Sequence, residues 1–176
     1  MIIVINGAAG SGKTTFAEMC CAQVAPFGLN VSTVDFVKHL ATECGWDGTK
    51  TAANRKFLSD LKQLLVEWGD VPYHKTIEAI EQWERGMAAY GVENPDTMVF
   101  VHCREPQEIT KFVERNGART LRIIRPDVEG VAASNASDAN IGNFVYDDVV
   151  VNDDSLEELT KKAAAYIENF SKKIKK

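Results

Sequence analysis

The chain has 176 residues, 45% of them hydrophobic and 26% charged, a profile that excludes a fibre or a disordered tail and suffices to bury a core without disulfide staples. Its 25 acidic and 20 basic side chains leave a net charge of −5, which speaks against a nucleic-acid coat, and the one basic cluster, from Lys172 to Lys176, reads as a solvated helix end. No apolar run approaches the ~20 residues that span a bilayer, and the short start from Met1 to Ile5 has no basic flank, so a cytoplasmic protein without membrane or nucleic-acid partners is expected.

The β-branched run Met1 to Asn6 suits a strand buried on both faces of a parallel sheet. A helix is expected from about Lys13 to Ala25, where Pro26 and Gly28 stop it, and a second strand from Val31 to Asp35. Phe57, Leu58, Leu61, Leu64, Leu65 and Trp68 then form a helical face closed by Gly69. Pro72 opens another helix, whose Tyr73, Ile77, Ile80, Met87 and Tyr90 keep helical spacing until Gly91. A third strand, Met98 to His102, precedes a helix bounded by Pro106 and Asn116-Gly117, and a fourth runs from Thr120 to Ile124.

Residues 127–146 lack periodicity and read as a loop or lid. A fifth strand, Asp148 to Val151, leads through Asn152 to a capping box, Ser155 to Glu158, and a last helix. Strands alternating with helices predict an α/β fold with a five-stranded parallel sheet. Residues 36–96 hold more helix than one crossover requires, so they are expected as a helical insertion in a single domain spanning 1–176.

Cys20, Cys21, Cys44 and Cys103 include no C-x-x-C pair and are expected as buried, reduced thiols. His39, His74 and His102 are too scattered to suggest a metal cluster.

Chemistry concentrates in one place. Gly7-Ala8-Ala9-Gly10-Ser11-Gly12-Lys13-Thr14 fits G-x-x-x-x-G-K-[ST] between a predicted strand and a predicted helix, the context a phosphate-binding P-loop requires. Glycines let successive N–H groups converge on phosphate oxygens, and the helix start adds its positive dipole end. Lys13 would reach the β and γ phosphates of ATP, and the Thr14 hydroxyl would ligate Mg²⁺. Thr15 either touches the α phosphate or is an ordinary helix residue. The Asn-Lys-x-Asp motif of GTPases is absent, Asp127-Val-Glu-Gly130 lacks that partner, and no strand ends Asp-Glu as in motor ATPases, which leaves a small phosphotransferase.

In its P-loop, insertion and lid positions the chain resembles the nucleoside monophosphate kinase-like (adenylate kinase-like) family of P-loop kinases over nearly its whole length. Asn54-Arg-Lys-Phe-Leu-Ser-Asp-Leu61 and Tyr146 to Asn152 are similar to segments of deoxynucleoside monophosphate kinases and phosphomevalonate kinases. The resemblance implies a P-loop three-layer fold, an acceptor-binding insertion at 36–96, a lid at 126–146, and transfer of the γ-phosphoryl group of ATP·Mg²⁺ to a small anionic acceptor. A nucleoside or deoxynucleoside monophosphate leads, with another phosphorylated metabolite or a non-catalytic nucleotide switch as alternatives. Oligomeric state and ATP-against-GTP preference stay open.

Asp35, at the predicted end of strand two, is a catalytic candidate that would order Mg²⁺ through water and position the acceptor, or accept a proton from an acceptor hydroxyl, or simply cap the next helix. Lys38 follows one helical turn later as an acceptor candidate. Arg55 would grip the acceptor's phosphate or be a solvated helix residue. Arg104 falls where the family carries an acceptor-binding arginine, and Arg125, at the lid entrance, would neutralise the transferring phosphoryl group. Arg122, inside a strand, is a weaker candidate. Asn152 would border the adenine by resemblance. The chain departs from many relatives in one respect: residues 126–146 contain no Lys or Arg, so Lys13, Mg²⁺, Arg104 and Arg125 must supply the positive charge.

Overall fold

The computed structural model describes residues 1–89, 97–129 and 141–174. In chain order the elements are β1 (Ile2–Asn6), α1 (Lys13–Gln23), β2 (Gly28–Ser32), α2 (Asp35–Glu43), α3 (Ala52–Gly69), α4 (Val71–Ala89), β3 (Met98–His102), α5 (Pro106–Asn116), β4 (Arg119–Ile124), a 3-10 turn (Ile141–Asn143), β5 (Asp148–Val151) and α6 (Leu156–Ile174). They fall into two compact units, Met1–Asn30 with Pro95–Lys176, and Val31–Asn94. No helix among the described residues is long and apolar enough to cross a membrane.

The first unit is built on a five-stranded sheet of order β2-β3-β1-β4-β5, in which β1 pairs parallel with β3 and β4, and β4 with β5. This is the expected α/β fold. Alternation sends Ile3 and Ile5 of β1, Phe100 of β3, and Leu121 and Ile123 of β4 to one face. There they close with Phe16, Ala17 and Cys20 of α1 and Leu159, Ala163 and Ile167 of α6. Val4, Val99 and Val101 point the other way and are fully buried, as are Ile109 and Phe112 of α5, which packs on β1 and β4. Both faces are therefore covered, which explains why β1 reads as a continuous apolar run rather than an alternating one. The chain leaves β1 toward one face and β3 toward the other, so their carboxyl ends diverge into the crevice where open α/β sheets bind ligands.

β3, α5 and β5 lie where the sequence places them, and α6 begins with the expected cap, the Glu158 N–H donating to Ser155 Oγ at 3.3 Å. β2 does not. It ends at Ser32, and the Ser32 N–H donates to Asp35 Oδ2 at 2.7 Å, closing the turn into α2. Asp35 is thus the first residue of a helix, not the end of a strand. The strand starts earlier because Gly28 passes α1 so closely that a Cβ there would stand 2.6 Å from the Cys21 Cα. The expected buried thiols hold for Cys20 and Cys103, but Cys21 is half-buried and Cys44 is exposed. Burial drives the Cys20 thiol far above its ordinary range and, with help from Glu18, pushes Cys21 up to about 11, so neither is a nucleophile at neutral pH.

The second unit holds α2, α3 and α4. Thr51 Oγ1 accepts from the Asn54 N–H at 3.1 Å and starts α3 well before its first large apolar residue. The helix ends on Asp70, in the left-handed region at φ 56°, and α4 follows at once. Tyr73, Thr76 and Ile80 of α4 are buried, and the Lys75 ammonium lies 5.6 Å from the centre of the Phe36 ring of α2. No residue of α3 is fully buried, and Leu64 and Trp68 on its expected apolar face are 62% and 84% exposed. Tyr90 and Gly91, expected to end α4, and residues 130–140 of the expected lid lie outside the described residues.

A carboxylate ties β5 to β4. Asp147 Oδ2 accepts from the Thr120 N–H at 2.8 Å and its hydroxyl at 2.9 Å, while Asp147 returns its own N–H to Thr120 Oγ1. Burial alone would raise the Asp147 pKa, but the Thr120 donors outweigh it and hold the carboxyl below its usual value. A group with a depressed folded pKa stabilises above its unfolded pKa and loses that contribution as pH falls through the folded one. Asp147→Ala should therefore cost about 1 kcal/mol at neutral pH. The gap to wild type should shrink below about pH 4. Denaturant midpoints at pH 7 and pH 3 measure it; an equal gap at both would refute the carboxylate's role.

Candidate phosphate-binding site

Gly7 to Thr14 connect β1 to α1, as the motif requires, and the surrounding sheet grips the connection from two sides. Asn6, fully buried at the end of β1, accepts from the Gly7 N–H through Oδ1 at 2.8 Å. Gly7 then presses on β4: a Cβ there would stand 2.5 Å from the Ile123 carbonyl oxygen and 2.7 Å from Ser11 Oγ. The Ser11 N–H closes a turn on the Ala8 carbonyl at 3.1 Å. Beyond it Gly12, at φ 87°, serves as the N-cap of α1 in the left-handed region. On the other side the Asn152 amide donates to the Ser11 carbonyl at 2.9 Å, and its N–H to the Ile124 carbonyl at 2.7 Å.

Several polar groups of the loop are left without a protein side chain to answer them. No side chain caps the first turn of α1, whose N-terminal amides have no intrahelical acceptor. Ser11 Oγ is buried with no hydrogen-bond partner among the described residues. Lys13 Nζ reaches back to the Ala8 carbonyl at 3.1 Å, placing its charge over the loop. Amides at a helix start, a lysine across them and an unmet hydroxyl are what a polyphosphate would satisfy. Thr14 is exposed beside them and Thr15 half-buried. Among the described residues no three His, Cys, Asp or Glu side chains group to hold a metal. An exposed Thr14 hydroxyl beside the loop is compatible with a Mg²⁺ that a nucleotide would itself carry.

Arg104 follows β3, half-buried, its carbonyl held by Asn6 Nδ2 at 3.3 Å. Arg125 follows β4 and lies 3.9 Å from Asp127 Oδ2, both side chains largely exposed. Such a pair is worth at most about 1 kcal/mol, so Arg125 can leave it for an incoming anion at little cost. Gly7 to Thr15, Arg104, Arg125 and Asn152 thus all lie in the first unit at the carboxyl ends of parallel strands. Asn152, expected beside the adenine, is buried with its amide committed to Ser11, so it braces the loop. Asp35, Lys38 and Arg55 belong to the second unit. Lys38 Nζ is 3.8 Å from Asp35 Oδ1, and Arg55 is exposed in the first turn of α3.

Sequence reasoning missed Asn6 and Tyr146. Asn6 Nδ2 also donates to the Tyr146 hydroxyl at 2.8 Å, which in turn donates to the Ile141 carbonyl at 3.2 Å. This partly buried chain links Asn6, just before Gly7, to the loop after β3 and to the segment before β5. Burial raises the Tyr146 pKa despite the Asn6 bond and the nearby Arg122 charge, so the phenol stays protonated and able to donate. A polar residue ending an apolar strand was the available signal for Asn6; nothing local marks Tyr146. Arg122, the weaker candidate inside a strand, donates through Nη2 to Glu129 Oε2 at 2.8 Å, its side chain only 21% exposed.

No family model and no curated protein matches the chain. Among solved structures it is similar to shikimate kinase from Aquifex aeolicus (TM-score 0.47, 13% identity, covering 97% of this chain and 98% of that one). It is also similar to a sugar kinase from Janibacter sp. (TM-score 0.44, 19% identity, covering 95% and 94%). A third is the APS kinase of Mycobacterium tuberculosis, solved with AMPPNP and APS (TM-score 0.43, 14% identity, covering 95% and 96%).

Proposed function

We propose that the chain is a small-molecule kinase that moves the γ-phosphoryl group of ATP to an anionic acceptor, with nucleoside or deoxynucleoside monophosphates as the acceptor class. The observation that carries this reading is the clamped P-loop, with Lys13 over its amides and the first turn of α1 uncapped. The loop N–H groups bind the phosphates, and Lys13 exchanges the Ala8 carbonyl for the β and γ oxygens. The Thr14 hydroxyl would hold Mg²⁺, which would supply charge neutralisation at the phosphates when bound.

Arg104 and Arg125 supply the cations that residues 126–146 lack and meet the charge spread over the transferring group. An acceptor phosphate is already anionic and needs no general base, so Asp35 is assigned positioning of acceptor and metal-bound water rather than proton abstraction. Lys38 and Arg55 are assigned to the acceptor's charge, with residues 36–96 as the acceptor-binding part and 126–146 as the lid.

ADP release measured across nucleoside monophosphates, phosphomevalonate and uncharged alcohols tests the proposal. At least one monophosphate should raise the rate about tenfold or more over basal hydrolysis, about 1.4 kcal/mol of barrier. Acceleration by another phosphorylated metabolite alone would keep the kinase and replace the acceptor class. ATP binding with no acceleration by any of them would make the chain a nucleotide-binding switch.

A further inference from the structure

We propose that Arg122 is a receptor for the acceptor's anionic group and that Glu129 masks it until the acceptor arrives. The inference rests on the kinase reading above and names a residue for its acceptor side. Arg122 lies in β4, in register with Asn6 of β1 and Val149 of β5, so its backbone is fixed by the sheet. Its register places it beside Asn6, and Tyr146 feels its charge. It therefore borders the partly buried chain that reaches the P-loop.

Its ion pair with Glu129 is only half made. Nη2 donates to Oε2 at 2.8 Å, yet Arg122 Nε and Glu129 Oε1 are both buried without a hydrogen-bond partner among the described residues. A guanidinium facing a carboxylate ordinarily closes two parallel bonds through its fork. Here each partner keeps one buried polar atom unmet; an oxyanion with several oxygens can meet the Arg122 share by accepting from Nε and Nη2 together, with the displaced Glu129 carboxylate left to water. A phosphate monoester has those oxygens.

The two partners also differ in how they are held. Glu129 belongs to a local turn in which the Val128 and Glu129 N–H groups both donate to the Arg125 carbonyl. Its carboxylate can withdraw without breaking the sheet, whereas Arg122 stays in place. A fixed cation behind a movable acid also fits the sequence of residues 126–146, which carries acids and no lysine or arginine. An uncompensated buried arginine would be costly in the free protein, and Glu129 removes that cost until a better anion comes.

The test titrates inorganic phosphate by calorimetry into protein saturated with AMPPNP and Mg²⁺, so that the P-loop is already filled. Glu129→Gln should bind phosphate about tenfold tighter than wild type, and Arg122→Gln about tenfold weaker. The double variant should bind like Arg122→Gln, because the mask matters only while the receptor is present. Equal affinity of Glu129→Gln and wild type, or an Arg122→Gln variant that folds and binds as wild type does, overturns the proposal. If Arg122→Gln fails to fold, the Glu129→Gln arm decides alone, since it leaves the strand untouched. ADP release across the acceptor panel, measured on the wild type, tests the kinase reading separately from the phosphate ratio.

Discussion

Lys13→Ala is expected to slow phosphoryl transfer by about a hundredfold to a thousandfold, the usual cost of removing one preorganised donor from a developing charge. The fold should survive. Lys13 is half-buried and its Nζ bonds the Ala8 carbonyl at 3.1 Å, a contact whose loss costs about 1 kcal/mol against a typical total of ~5–15 kcal/mol. The asymmetry follows from where the charge acts: in the free protein Lys13 donates to the neutral Ala8 carbonyl, whereas in the reaction it faces the charged β and γ oxygens. The remaining strand-end cations cannot take its place, because Arg104 and Arg125 project from the ends of β3 and β4 and not from the loop itself. The variant's ADP release with the best acceptor, beside its thermal unfolding, checks both halves. A folded Lys13→Ala protein turning over within about threefold of wild type would sink the assignment, a loss of less than about 0.7 kcal/mol.

The parts legible in the sequence are those whose determinants are contiguous. The P-loop is a run of neighbouring residues, and its glycines, lysine and threonine act within that run. β3 and β5 are apolar runs flanked by polar breakers, and Pro106 with Gly117 bounds α5 from both ends. β2 was misplaced because Val31 and Val34 carry the local β signal, while the strand is chosen by its place outside β3 and by the close pass of Gly28 against α1. The start of α3 was missed because Thr51, its cap, precedes residues with helix propensity but no apolar period.

The candidate site was half legible for the same reason. Asn152 and Ser11 lie 141 residues apart, Asn6 and Tyr146 140, and Asn6 and Arg104 98, separations at which no local pattern can show a contact. Arg122 is the exception, since a charge within a strand covered on both faces requires a counter-ion nearby. Ranking it as a weaker candidate for its place in a strand overlooked that requirement, and Glu129 was the acid within reach.

Gly7→Ala should abolish nucleotide binding by removing the loop's shape rather than its charge. The added Cβ would meet the Ile123 carbonyl oxygen at 2.5 Å, well inside contact distance, at a backbone φ of 156°. That oxygen cannot yield: Ile123 is fully buried in β4, whose ladder runs to β1 on one side and β5 on the other. The second obstacle, Ser11 Oγ at 2.7 Å, belongs to a buried residue whose carbonyl is already held by Asn152. The loop itself must therefore lift, stretching the Asn6 bond to the Gly7 N–H and splaying the amides that converge on phosphate. Overpacking of this kind costs about 1–3 kcal/mol of stability. The binding loss should exceed about a hundredfold, because oriented donors displaced by even a fraction of an ångström no longer act together. AMPPNP titration reads the effect without knowledge of the acceptor; affinity within about threefold of wild type would show that the loop tolerates a side chain there. Against Lys13→Ala the comparison is sharp: one variant keeps the cradle and loses the charge that drives transfer, while the other keeps the lysine and loses the cradle that aims it.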